Sequence, residues 1–520
     1  MPVTKLVLGG LAVLLAAPIA SAQDLRLRDI PTRWRFTGEY FSVDAHEHLG
    51  LVGVHYDVLD PFPAVPHLYL GVGGYGAVAG RRGGLFAGGL TAGYLRELAP
   101  GWAVDAGLFA GGGGGGGRVS GEGIEGPVLR PHLALERTFP LYSLRLELAN
   151  TDFLDDEIDD LHLALGLSLP SEILHARESG RVPSIPADAV VKRRVRVTPQ
   201  VSVFDPARGL NRLSGTPLER DIKTTGFGVD YFLGEHFFVP IEAHGATSGS
   251  VSGFGVALTG IGFSLPLAFA DRLTLELATL AGAAGGGDVD TGGGFLWLAR
   301  GGLKIPLYGP LSLSISHGAT EAVKGDFEAN VTTVGLTWES HLPELAADYP
   351  RSRLAKEGLT KETAKINPTR LQALDKMYVP RSKSHYRHGG RYESTINLLG
   401  VGFAQPVSES FSILGHVYSA WEGDVSGYSE GLIGLGYEFA PLYDERHRFY
   451  TSVETGSGGG GDVDVGSGLI YELGAGYRYD LTESVSLSLG AGYMEADHGS
   501  FAAETYQIGL SWHLGRAFLK

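Results

Sequence analysis

The sequence predicts an all-β fold, with antiparallel barrel strands in three repeats of about eight. Three observations point there. Residues alternate between two faces in pieces of about ten. Turn-rich breaks separate the pieces. The same landmarks return three times in the same order.

The N-terminus comes first. Lys5 precedes an apolar run, Leu6 to Ile19, and Ala20-Ser21-Ala22 stands before Gln23. A short basic region, a short apolar core and small residues at a cleavage position read as a secretory signal over residues 1–22. The run is too short for a membrane anchor, and no later stretch is long and apolar enough for a transmembrane helix.

Composition narrows the classes. The chain has 520 residues, a formal charge of −16 and no cysteine. Disulfides, thiolate metal sites, a cysteine nucleophile and a lipidated cysteine are therefore excluded. The negative charge, with no broad basic face, argues against nucleic acid as a partner. Glycine is abundant, at 78 residues, without a collagen period, while apolar residues remain at 43%. Disorder does not fit that apolar content.

The strands show two faces. In Ser484–Met494, Val485, Leu487, Leu489, Ala491 and Tyr493 alternate with Ser484, Ser486, Ser488, Gly490 and Gly492. In the last strand Tyr506, Ile508, Leu510, Trp512 and Leu514 alternate with Thr505, Gln507, Gly509, Ser511 and His513. One face is apolar with aromatics near its ends, as a membrane wall requires; the other is small and polar.

The repeat is a whole domain. Gly53-Val54-His55-Tyr56, Gly228-Val229-Asp230-Tyr231 and Gly400-Val401-Gly402-Phe403 mark a second strand in each unit. Gly93-Tyr94, Gly262-Phe263 and Gly436-Tyr437 mark a fourth. Glycine runs end at Gly117, Gly287 and Gly461, and closing strands carry Gly166, Gly335 and Gly509. Unit 1 covers residues 23–170, unit 2 residues 195–340 and unit 3 residues 391–520. Linkers at 171–194 and 341–390 separate them, the second with a short helix expected around Pro368–Met377. With an even strand number per unit, both linkers fall on one side, the side of the short turns.

In unit 2 the expected strands are Val195–Asp205, Lys223–Leu233, His236–Ala246, Val251–Leu267, Leu273–Gly286, Asp290–Leu307, Leu311–Ala319 and Phe327–Glu339. Unit 3 is less regular. Met377–Tyr386 contains Pro380 and the basic residues Arg381, Lys383 and His385, which suits a strand poorly.

The signal, the eight-strand units and the alternation together resemble Gram-negative outer-membrane β-barrel proteins, particularly the small eight-stranded ones. The last strand, through Tyr506, Ile508, Leu510, Trp512 and Leu514, is similar to the assembly signal of that class. It departs from it in that Phe518 is followed by Leu519 and Lys520. The resemblance implies a bacterial outer-membrane location, contact with membrane lipid and lipopolysaccharide, and recognition by the assembly machinery. Two closures are open: three eight-stranded barrels, or one barrel of about 24 strands. Inward residues in the traced strands are mostly Gly, Ser, Thr and Ala, which favours three narrow barrels.

Candidate sites are few. Gly111–Gly117 lacks the Lys-Ser/Thr of a phosphate loop and reads as a flexible strand end running into an outer hairpin loop. Gly285-Gly286-Gly287-Asp288-Val289-Asp290 and Gly459-Gly460-Gly461-Asp462-Val463-Asp464 resemble calcium-binding turns, but unit 1 has Arg118-Val119-Ser120 instead. Asp152, Asp155, Asp156, Glu157, Asp159 and Asp160 form an acidic loop that could meet cations bridging lipopolysaccharide; a solvated loop is the simpler reading. His244 near Ser248 and Ser250, and His317 near Glu321, are the nearest approach to a hydrolase pair. None matches a catalytic motif, so no catalytic, metal or cofactor residue is assigned and an enzyme is not expected. The expected function is a transport or export component of the envelope, with a periplasmic partner at the linkers. The alternatives are a non-porous structural or surface-interaction barrel and, with the least support, a lipid-modifying hydrolase.

Overall fold

In the computed structural model, residues 28–519 are described, except 44–46, 62–64, 117–123, 155–157, 176–189, 219–220, 268–272, 346–363 and scattered turn positions after 392. The expected signal, residues 1–22, lies outside the described residues. Among the described residues every regular element is a strand.

The first barrel contains β1 (Arg28–Ser42), β2 (His48–Leu59), β3 (Leu68–Ala79), β4 (Phe86–Ala99), β5 (Trp102–Gly115), β6 (Ile124–Thr138), β7 (Ser143–Phe153) and β8 (Asp159–His175). The second contains β9 (Val190–Pro206), β10 (Ile222–Phe232), β11 (Phe237–Ser248), β12 (Gly255–Pro266), β13 (Thr274–Gly285), β14 (Phe295–Tyr308), β15 (Leu311–Ala322) and β16 (Glu328–Leu345). The third contains β17 (Ala364–Pro380), β18 (Ile396–Pro406), β19 (Phe411–Glu422), β20 (Ser429–Glu438), β21 (His447–Gly459), β22 (Leu469–Asp480), β23 (Val485–Ala496) and β24 (Ala502–Leu519).

Neighbours in sequence pair antiparallel, and each set of eight closes first strand to last: β1 on β8, β9 on β16, β17 on β24. A single backbone pairing, Arg516 with His175, joins the first and third barrels at their short-turn ends. The chain is three narrow barrels, and the 24-strand wall does not form. Closure leaves no unpaired sheet edge, which a lipid environment demands.

All eight strands expected in unit 2 are present, within a few residues at most ends. Unit 3 differs. The segment expected to be linker and helix, within 341–390, holds the end of β16 and all of β17. The cause is charge facing inward. Arg370, Leu374, Lys376 and Tyr378 of β17 are buried in the barrel, where Arg370 meets Glu438 and Lys376 meets Glu430 and Glu472. Read without partners, those cations look like a solvated segment. Pro380 ends the strand, the one place its missing N–H costs little. The first linker shrinks likewise, because β8 reaches His175 and β9 starts at Val190; what lies between is outside the described residues.

The faces are inverted relative to a soluble sheet. On β7, Leu146 is 52% exposed, while its neighbours Arg145 and Glu147 are 2% and 0% exposed. Leu161, Leu163 and Leu165 of β8 stand outward in the same way. Exposed leucines outside and buried charges inside describe a wall meant for lipid.

The three barrels pack cyclically. Strand three of each meets strand five of the next: β3 on β13, β11 on β21, β19 on β5. Barrel strands tilt strongly against the barrel axis, so the strands in contact change with depth. Below these contacts, Phe227 of β10 and Phe403 of β18 approach to 6.3 Å between ring centres. At the short-turn end, β8, β16 and β24 come together.

Candidate functional site

Each barrel has a polar interior, an apolar seal at its long-loop end and a glycine-rich seam against its neighbours. The interior of the first barrel is an ion-pair ladder. Asp57 accepts hydrogen bonds from Arg33 Nε (2.9 Å), Arg35 Nε (3.1 Å) and Thr91 Oγ1 (2.8 Å). Asp105 accepts from Arg33 Nη2 (2.7 Å), Arg145 Nη1 (2.7 Å) and the Tyr69 hydroxyl (2.9 Å). Glu136 takes Arg33 and Arg145, and Glu147 takes Arg145 and Arg130. Arg130 also binds Glu39 at 2.5 Å. Alternation explains the placement: Arg33, Arg35, Thr37 and Glu39 share one face of β1.

The second barrel pairs Arg196 with Asp230 and Glu276, Arg300 with Glu242 at 2.9 Å, and Lys304 with Glu339 at 2.8 Å. A cavity of about 50 Å³ remains among Gln200, Asp230, Glu242, Glu276 and Arg300, room for a few waters only. In the third, Lys376 Nζ reaches Glu430 (3.0 Å) and Glu472 (2.7 Å) and lies 3.7 Å from the Tyr418 ring centre. Tyr378 and Tyr428 both donate to Glu430. The expectation of small inward residues holds for β23 and β24 but not for most strands. Glycine and serine leave space in some layers that long paired side chains fill from others. An eight-stranded barrel is only wide enough for its own side chains.

The long-loop ends are closed by apolar side chains that the loops send inward. In the second barrel Leu218, Val251, Phe254, Val289 and Phe327 come from four loops and form one cluster with Ile222. In the third, Val425, Tyr428, Val463, Val465 and Phe501 do the same, with Tyr386 and Tyr392 against them. In the first, Leu85 and Ile158 lie over Leu49, Leu51 and Phe153.

The two Gly-Asp turns belong to these seals. Val289 and Val463 are the buried plug residues, and the flanking aspartates hold their loops. Asp288 accepts from the Ser214 N–H (2.9 Å), and Asp290 from the Gly292 N–H (3.0 Å). Asp464 accepts from the Ser500 N–H (3.0 Å) and the Gly466 N–H (3.4 Å), and Asp462 meets His388. The carboxylates are spent on loop amides, and no group of three candidate ligands gathers among the described residues. Partial burial raises the Asp464 carboxyl, but the Ser500 and Gly466 donors outweigh it and hold it below its ordinary 3.8. A depressed carboxylate stabilises the fold fully above its ordinary value and loses that contribution as pH falls through the lowered one. Asp464→Asn should therefore loosen residues 460–468 at neutral pH, raising their cleavage in limited proteolysis. In the wild type the same loosening appears only below about pH 4, near the ordinary aspartate value.

The other candidates stay apart. His244 is buried inside the second barrel, bonded to Gln200 (2.9 Å), while Ser248 ends β11 and Ser250 lies in the following loop. His317 faces outward and contacts Thr332 (3.0 Å); Glu321 shares that outer face. A serine–histidine contact that the sequence reading missed is Ser486 with His513 Nε2 (2.8 Å). Asp480 faces the same ring nitrogen at 3.8 Å, so the opposite nitrogen is not held as a relay needs. In the acidic loop, Asp152 pairs across from Asp159, which accepts from Asn150; Asp155, Asp156 and Glu157 lie outside the described residues.

The glycine runs are the seams. Gly111–Gly115 is regular strand in β5, not a flexible end, and Gly112 lies against Ser419 and Ala420 of the third barrel. Gly117 and Arg118-Val119-Ser120 lie outside the described residues. Between first and second barrels, the Gly83 N–H donates to the Gly292 carbonyl (3.1 Å). A Cβ on Gly84 would fall 2.2 Å from the Gly286 nitrogen. Between second and third, a Cβ on Gly245 would meet Ser457 Oγ at 1.8 Å, and one on Gly459 would meet the Gly253 nitrogen at 2.3 Å. Small residues let membrane walls approach closely enough for dispersion and backbone contact to hold them.

No family model matches the chain, and no curated protein is similar in sequence. Among solved structures, the ferric enterobactin receptor PfeA of Pseudomonas aeruginosa aligns at 10% identity over 94% of this chain and 80% of that one, with a TM-score of 0.27. The siderophore receptor PirA of Acinetobacter baumannii aligns at 9% identity over 95% and 81%, TM-score 0.27. OccK5 (OpdH) of Pseudomonas aeruginosa aligns at 9% over 94% and 98%, TM-score 0.24. At these scores the likeness carries nothing about what this chain binds. By its own closure and burial pattern, the chain is three tandem eight-stranded antiparallel barrels with apolar outer faces and charged interiors.

Proposed function

We propose that this chain is an integral outer-membrane protein whose three barrels are non-porous and act as one rigid membrane platform, presenting its long loops outside. The observation that carries the reading is the double closure of each barrel. Ion pairs fill the interior, and an apolar cluster caps the long-loop end. In this orientation the short turns and both linkers face the periplasm. Membrane lipid and lipopolysaccharide would surround the leucine-rich walls, and the assembly machinery would read β24.

A transport or export role fits this geometry only through a periplasmic partner docked at the linkers, since the described residues leave no wide lumen for a solute. Single-channel recording of the folded chain in a planar bilayer tests the proposal. Silence is expected. A large, steady conductance would mean that seals and ion pairs yield in the membrane, and the transport reading would replace this one.

A further inference from the structure

A depression on the lipid-facing wall of the third barrel lies where the corresponding rows of the other two are built differently. Thr451, Ala475 and Ala491 lie side by side on β21, β22 and β23, each the direct cross-strand partner of the next. Tyr437 and Tyr506 end the row. The rows on either side are large: Phe449, Tyr477 and Leu489 toward the short turns, Val453, Leu473 and Tyr493 toward the loops. The result is an open depression of about 790 Å³ over Thr451, Ala475 and Ala491, bounded by Phe449, Tyr477 and Leu489 and extending to Phe439 and Ala440 at the short turn.

The repeat supplies an internal comparison. In the first barrel the same row, starting from Tyr94, reads Ala106, Leu133 and Leu148, so leucines fill it. In the second it starts from Phe263 and reads Leu277, Gly301 and His317, with Leu277 lying over Gly301. Only the third barrel combines three small residues with a complete large rim.

We propose that this trough binds one acyl chain of a periplasmic-leaflet phospholipid, a reading that rests on the membrane orientation above. No charged side chain lines the trough. Its floor, one row of small side chains beside a row of large ones, suits a single unbranched chain. At the mouth the character changes. Arg446 is exposed on the turn beside His447, which bonds to the Tyr477 hydroxyl; Asp444 lies on the same turn. A cation and aromatic hydroxyls at the membrane interface match a phosphate headgroup above a buried chain.

The test is native mass spectrometry of the full chain released from vesicles of phosphatidylethanolamine and phosphatidylglycerol. The wild type should keep one phospholipid at collision energies that strip the rest. Ala475→Leu installs the residue that the first barrel carries at Leu133, so the fold tolerates it, and the retained fraction should fall about tenfold. Leu336→Trp, a change on another outward wall, should leave retention intact. Equal retention by Ala475→Leu, or none by an inserted wild type, overturns the trough assignment alone. A chain that fails to float with the vesicles overturns the membrane reading as well.

Discussion

Gly84→Val is expected to part the first barrel from the second while each remains closed. The backbone at Gly84 has φ of +88°, a region valine avoids, and an added Cβ would lie 2.2 Å from a backbone nitrogen that cannot move aside. Strain of ~1–3 kcal/mol joins an overpacking cost of about 1–3 kcal/mol. Urea unfolding in lipid vesicles should show one transition for the wild type and an earlier, separate step for the variant. Gly88→Val is the control, because nothing stands within 4 Å of the added Cβ there. If both variants unfold alike, the seams contribute little and the linkers alone hold the barrels together.

Asp105→Ala carries the second large effect, inside a single barrel. It removes one carboxylate that holds Arg33, Arg145 and Tyr69 at once. Breaking a buried ion pair by deleting one partner costs about 3–5 kcal/mol, because the other charge stays buried and short of partners. Glu97→Ala at an exposed strand end should cost under about 1 kcal/mol. The comparison is made on unfolding midpoints of refolded protein. A small loss for Asp105→Ala would mean that water reaches the ladder, and the sealed-interior reading would weaken with it.

Much of this fold was legible in the chain. The alternation in Val485–Tyr493 specifies a two-faced strand without help from elsewhere, because the side-chain period of a strand is two. The recurrence of Gly93-Tyr94 as Gly262-Phe263 and Gly436-Tyr437 put a strand four in each unit, and β4, β12 and β20 are there. The strand number in unit 2 came from the same local patterns.

What the chain alone misread has one physical origin: a charge or a glycine means different things depending on what faces it. Arg370 and Lys376 fell within the expected linker helix, Pro368–Met377, because Glu438, Glu430 and Glu472, which make their burial in a strand tolerable, lie far along the sequence. Gly111–Gly115 resembled a loose end because Ser419 and Ala420, against which Gly112 packs, belong to another repeat. Asp288 and Asp464 resembled cation ligands until Ser214 and Ser500 supplied the donors that occupy them. Local sequence determined that this chain makes strands and how they alternate, since those follow from residues two to ten apart, and the recurrence of the same landmarks along the chain set the strands in three groups. Tertiary structure alone decided that each set closes on itself, fills and seals its interior and docks through glycine, because pairing across such distances depends on which long-range partners match in charge and size.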